Sequence, residues 1–147
     1  KVLAQQYGVD GTEARHLQQH LTGLKNIPDF KTMQKTLDLS LELCTIAWNA
    51  YAVMALPGSA LYKDAIERGF ELPKDYEGYS FHSYNTLPLP TTELSPSEIL
   101  SFRDQAFTKY HNHPPFIDRV RNKYGDVAVK NIEKMQGIKL KRKIVDG

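Results

Sequence analysis

Residues 45–56 read Thr45-Ile46-Ala47-Trp48-Asn49-Ala50-Tyr51-Ala52-Val53-Met54-Ala55-Leu56, and the turn Pro57-Gly58-Ser59 follows them. β-Branched and aromatic residues mix here with small ones, no side chain is charged, and Pro57-Gly58 stops the run. The stretch predicts a strand buried on both faces, as parallel sheets require; a buried helix is the competing reading. On its N-terminal side, Asp29 is placed to cap a helix in which Phe30, Met33, Leu37 and Leu41 share a face, with Leu43 and Cys44 closing the last turn. On its C-terminal side, Ser59 is placed to cap a helix over residues 60–68 with Leu61, Ala65 and Ile66 inward, and Gly69 to end it in a left-handed conformation. Helix, strand, turn and helix in this order is the grammar of an α/β domain with a parallel sheet, yet too few strands are present to close one. A strand of this kind needs partners from elsewhere, or self-association, to pair its edges.

Further out, the pattern turns helical. Residues 70–92 are rich in Tyr, Pro, Ser and Gly, too long for a connector and too aromatic for a flexible linker, and predict an ordered strap. Ser95-Pro96-Ser97-Glu98 is a capping box with Pro at the first helical position, and Ile99, Phe102, Ala106 and Tyr110 follow at helical spacing. His113-Pro114-Pro115 breaks the chain, a short helix over residues 116–124 ends at Gly125, and Asp126 begins another that ends at Gly137. Three regions result: an N-terminal segment of uncertain structure at 1–28, a helix–strand–helix unit at 29–69, and the strap with its helical extension at 70–147.

Composition bounds what this architecture does. With 147 residues, 41% of them hydrophobic, the chain is long enough for one core. No apolar run reaches the roughly 20 residues that span a bilayer. Nineteen Lys and Arg against seventeen Asp and Glu give a net charge of +2, far from the dense basic face of a nucleic-acid binder. One cysteine excludes an internal disulfide or a multi-thiolate metal site within the chain, and fits a reducing cytoplasm. Lys1 is not an initiator Met and no secretory signal follows it, which fits an excised segment of a longer protein.

Few residues suggest chemistry on their own. His16 and His20 are spaced to share a helix face but lack the intervening Glu of a metalloprotease, and read as surface histidines. His111 and His113 sit where imidazoles complement a helix C-terminus. His82, among Tyr79, Ser80, Ser83 and Tyr84, is the one histidine with neighbours that suit proton transfer, although without an identifiable carboxylate partner it reads first as packing. Cys44 reads as a small buried hydrophobe, and the basic tail of Lys139, Lys141, Arg142 and Lys143 as a solvated terminus. Pro57-Gly58-Ser59 lies where a buried strand feeds a helix, the position at which parallel sheets bind anionic ligands, though a tight turn wants Pro and Gly for geometry alone.

Taken in order, Met54-Ala55-Leu56-Pro57-Gly58-Ser59-Ala60-Leu61-Tyr62, Tyr76-Glu77-Gly78-Tyr79-Ser80-Phe81-His82-Ser83-Tyr84 and Thr86-Leu87-Pro88-Leu89-Pro90-Thr91 resemble the C-terminal part of B12-binding radical S-adenosylmethionine (SAM) Fe–S oxidoreductases. Similarity continues through Leu94-Ser95, Glu98-Ile99-Leu100, Phe102-Arg103-Asp104, Ala106-Phe107 and Ile138-Lys139-Leu140-Lys141-Arg142-Lys143, so that it covers about residues 29–143. The resemblance implies an α/β fold turning to mostly α: the incomplete C-terminal portion of a TIM-like partial barrel, followed by a helical extension. It implies a parent holding a [4Fe-4S] cluster, SAM and cobalamin, with the remainder of that enzyme as this chain's partner. Carried over by position, Asn49, Tyr51, Pro57, Gly58 and Ser59 would face the cofactor, and Tyr79, His82 and Tyr84 the substrate. The family's Cys-x3-Cys-x2-Cys loop is missing, so neither a catalytic residue nor a metal ligand is assigned to this chain. Residues 1–28 depart from the pattern: Leu21-Thr22-Gly23-Leu24-Lys25-Asn26-Ile27-Pro28 stands in altered form where an apolar strand ending in Gly-Leu-Pro is expected. A non-catalytic helical interaction module is the alternative reading.

Overall fold

The computed structural model describes residues 29–147, and the histidine pair His16 and His20 lies outside them, as does the altered strand of residues 21–28. Five helices and a C-terminal helical turn order the described chain: α1 Phe30–Leu43, α2 Ala60–Glu67, α3 Pro96–His111, α4 Pro114–Tyr124, α5 Asp126–Gln136 and α6 Lys143–Asp146, with a 3-10 turn at Tyr76–Tyr79. Their starts follow from local chemistry. Asp29 accepts from the Thr32 amide at 2.7 Å while the Thr32 hydroxyl oxygen takes the Asp29 N–H, a reciprocal cap on α1. Ser59 caps α2, and Ser95 with Glu98 forms the expected box on α3 behind Pro96. The prolines at 114 and 115 occupy the first turn of α4, where missing N–H groups cost nothing, so the helix starts two residues earlier than its apolar pattern suggested. Gly125, at φ +78, both ends α4 and precedes α5, which packs the two helices into a tight hairpin.

The strand expectation is corrected in two ways. Among the described residues there is no strand, and residues 47–56 carry no helix or turn, so the segment lies without a ladder partner. Burial is also one-sided: Trp48, Ala50, Ala52 and Met54 turn inward, whereas Ala47, Asn49, Tyr51 and Val53 are exposed. This period of two is that of an extended chain lying on a core with its other face in solvent. A mixture of apolar and small residues carries no sign of which face meets protein, and that ambiguity misled the two-faced reading.

Three apolar clusters lie along the inner face of this segment. Ile46 and Trp48 join Cys44, Tyr110, Phe116, Val120 and Val129, the largest core, which holds α1, α3, α4 and α5 together. Ala52 meets Leu94 and Ile99, and Ala55 meets Ala65 and Leu89. The last cluster corrects the face of α2: Ala65 is fully buried and Tyr62 packs beside it, but Leu61 and Ile66 are exposed, because α2 meets the strap and the extended segment and no other described helix. Gly69 ends the α2 region at φ +72 as expected. The strap is ordered. At Gly78 a Cβ would stand 2.5 Å from Pro73 Cβ, so only glycine lets the chain approach this closely. No described helix is long and apolar enough to cross a membrane.

Candidate functional site

Helix α3 presents two consecutive charges, Arg103 and Asp104, to the place where the extended segment, the strap and the C-terminal tail meet. The Arg103 guanidinium lies 5.3 Å from the Phe107 ring centroid and 6.0 Å from that of Phe81. Its Nε donates to Ala50 O at 3.2 Å, Nη2 to Asn49 Oδ1 at 3.3 Å and Nη1 to Asp104 Oδ1 at 2.8 Å. Asp104 in turn receives a two-pronged contact from Arg142, Nε to Oδ2 at 2.9 Å and Nη2 to Oδ1 at 3.1 Å. Arg142 is 1% exposed, and its Nη1 donates to Ser83 O and Thr86 Oγ1, both at 3.0 Å. The fully buried Thr86 hydroxyl shares its own proton between Ser83 O and Ser80 O.

Two guanidiniums around one carboxylate leave an excess positive charge. Burial tolerates it because the Arg103 plane rests on aromatic faces and carbonyl dipoles accept its protons. Fork-shaped pairing with Asp104 also suits Arg142, for which Lys could not substitute. The arrangement corrects the reading of Arg142 as part of a solvated tail: Lys139, Lys141 and Lys143 are exposed, whereas Arg142 is the bolt that fastens the tail to the strap. A further bond, Lys143 N–H to Tyr84 O at 2.9 Å, seals the same junction. The signal was present in alternation, since Leu140, Arg142 and Ile144 all turn away from solvent while their neighbours do not.

The cluster gathers some of the residues singled out from sequence and leaves others apart. Asn49 is exposed and bound to Arg103; Tyr51, 68% exposed, meets Phe81 edge-on at 5.1 Å. His82 follows Phe81, is exposed, and donates its backbone N–H to Ser80 Oγ. Tyr84 is half exposed and contributes its backbone carbonyl. Tyr79 is half-buried, and desolvation pushes its phenol up, with Tyr62 and Tyr76 adding to the shift. Pro57 and Gly58 form an exposed turn with Gly58 at φ +87, and Ser59 Oγ donates to Leu56 O at 2.7 Å while accepting from Tyr62 N. No hydrogen bond or ring contact among the described residues joins that turn to the strap.

At the far end of α3, His111 lies buried between Phe107, Tyr110 and Phe116, with Nδ1 2.8 Å from Phe107 O. Burial lowers its pKa from the ordinary 6.5, outweighing that bond, and Arg103 lowers it further. It is therefore a neutral core residue rather than a cation at a helix end. His113 precedes α4 and makes no capping bond.

Cys44 is 5% exposed and ends α1 at φ +46. It is the single cysteine of the chain, and no group of three or more His, Cys, Asp or Glu among the described residues suits a metal ion. The residues present do not fit a [4Fe-4S] cluster. No protein-family model, curated protein or solved structure matches the chain.

Proposed function

We propose that this chain is the C-terminal part of a cytoplasmic radical SAM Fe–S oxidoreductase of the B12-binding type, in which it shapes the SAM and substrate pocket without being catalytic alone. One observation supports the reading above others. The separate stretches that carry the resemblance, at 76–84, 86–91, 102–104 and 138–143, meet in the Arg103–Asp104–Arg142 cluster, and that cluster holds Asn49 and Ala50 of the extended segment. In this reading the unpaired backbone of the extended segment is completed by preceding barrel strands of the parent, which also brings the cluster-binding cysteines, SAM and cobalamin. Asn49, Tyr51 and the Pro57-Gly58-Ser59 turn then face the cofactor, and Tyr79, His82 and Tyr84 the substrate.

The test is the reading frame upstream of Lys1 in the source DNA. A Cys-x3-Cys-x2-Cys loop preceded by a cobalamin-type domain is the expected finding. A start codon immediately before Lys1 overturns the proposal and leaves the alternative, a non-catalytic helical interaction module, which is favoured by the way α1, α3, α4 and α5 build a core with no sheet among the described residues.

A further inference from the structure

Charge is segregated along the chain. From residue 105 to residue 143 ten Lys and Arg stand against three Asp and Glu, whereas residues 29–104 carry six against eleven. The near-neutral total therefore hides a basic half, made of the end of α3, the α4–α5 hairpin and the C-terminal tail. Two of its three acids are already engaged: Arg121 pairs with Asp118 at 2.9 Å and with Asp126 at 3.1 Å. Lys130, Lys134, Lys139 and Lys141 are all exposed.

Helix α5 turns this charge outward together with apolar side chains. At about 100° per residue, Val127, Lys130, Lys134 and Met135 lie on the side opposite Val129 and Ile132, which pack into the core. Val127 is 74% exposed, and Ile138, just beyond the helix end, is 69% exposed. Tyr124, where the hairpin turns, is exposed too, with Lys123 Nζ 5.4 Å from its ring centroid.

This combination selects among anionic partners. Aliphatic side chains standing between lysines add nothing to the grip on a nucleic-acid backbone, which is neutralised by the cations alone. A docked peptide helix wants a groove, and the two cavities follow α1 and α3 around Phe30, Phe102 and Gln105, with no residue of α4 or α5 in their walls. The outer side of a helical hairpin is convex and suits a broad, deformable surface. On an anionic bilayer the ammonium groups meet the headgroups, the aliphatic side chains enter the acyl boundary, and a tyrosine ring sits at headgroup level.

We propose that the outer face of residues 124–141 binds an anionic lipid surface. The inference rests on charge and exposure and not on the family reading. Barrel strands of a parent would meet the extended segment, which packs through Ile46 and Trp48 on the inner side of this hairpin, so either proposal fails without the other.

The experiment is flotation of the full chain with vesicles of phosphatidylcholine containing roughly 30% phosphatidylserine, beside vesicles of phosphatidylcholine alone. The chain is expected on the anionic vesicles only, and added salt should release it. Lys130→Gln with Lys134→Gln should weaken the partition on the order of tenfold. Val127→Asn with Ile138→Asn keeps every charge and should weaken it by a similar factor, about tenfold. All four side chains are exposed, so both double variants should keep the unfolding midpoint of the unaltered chain. No binding to anionic vesicles, equal binding to neutral ones, or indifference to either double variant overturns the proposal. Indifference to the apolar pair, with equal affinity for polyglutamate or duplex DNA, would assign the face to an acidic protein or a nucleic acid instead.

Discussion

The junction at Arg142 and the segment at 45–56 lie next to each other and treat their polar groups in opposite ways. At the junction, the guanidiniums of α3 and the tail find acceptors in the strap, in Asp104 and in Asn49 and Ala50, and both arginines are buried. In the segment, Thr45 O and Ala50 O are held by side chains from α3 and Val53 O by Leu89 N–H, while no N–H from residue 45 to residue 55 meets an acceptor among the described residues. One region is complete within the chain, whereas the other is fixed in place but not finished. A backbone held by its acceptors alone has its position set by α3 and its pairing left to something else.

The largest expected effect comes from breaking the finished side. Arg142→Ala removes four donated hydrogen bonds and leaves Asp104 with Arg103 as its remaining cationic partner, at a cost of about 3 kcal/mol. Denaturant unfolding should show that loss. Amide exchange should speed up first around residues 80–86, because the strap is what Arg142 holds. If global stability falls without any change in the strap, the cluster is not the clasp described here.

Next in size is the pin at the start of the segment. The Tyr110 ring stacks on Trp48 at 5.1 Å while its hydroxyl donates to Thr45 O, and burial pushes the phenol above its ordinary value. Tyr110→Phe keeps the packing and strands a carbonyl that retains no other donor among the described residues, costing about 1–2 kcal/mol. It should also loosen residues 45–48 without touching the Arg142 junction, which separates the two regions experimentally. Equal loosening of both would mean that they unfold as one unit.

How much of this was legible follows the same division. Helix starts were read well because a cap is a local event: Asp29, Ser59 and Ser95 need only the next three residues to act. The segment was misread as buried on both faces because Ala, Asn and Tyr do not declare which side meets protein. Arg142 was missed for a related reason. Its partners Asp104, Ser83 and Thr86 are remote in sequence, and nothing local separates it from Lys141 or Lys143. The strap's order was legible in its composition and Asn49 was singled out through the resemblance, while the pairing of Arg103, Asp104 and Arg142 that holds them together was not legible.

A smaller effect tests whether the helical half stands by its own local chemistry. Ser95→Ala removes the hydroxyl that accepts from Glu98 N and that donates to its carboxylate, with an expected loss of about 1 kcal/mol. The hydroxyl's bond to the carboxylate, with a second from the Ser95 backbone N–H, also holds the Glu98 carboxyl below its usual range. The variant's Glu98 should therefore titrate at higher pH, measurable by NMR of the side-chain carboxyl.

The smallest effect concerns pH and separates core from junction once more. His111 is neutral when folded and has its pKa lowered by burial, so the unfolded chain binds a proton that the folded chain refuses. The stability this group contributes is complete above its ordinary value of 6.5 and is lost as pH falls from there towards the lowered folded value. Asp29 and Glu98 act lower, since both carboxyls are already depressed and their contributions vanish only as pH falls through the acid range. Unfolding free energy measured from pH 7.5 downward should therefore decline in two stages. His111→Phe, which keeps a ring among Phe107, Tyr110 and Phe116, should flatten the first stage and leave the second intact. A first stage that survives this substitution would assign it to another group and remove His111 from the account of why the core resists acid.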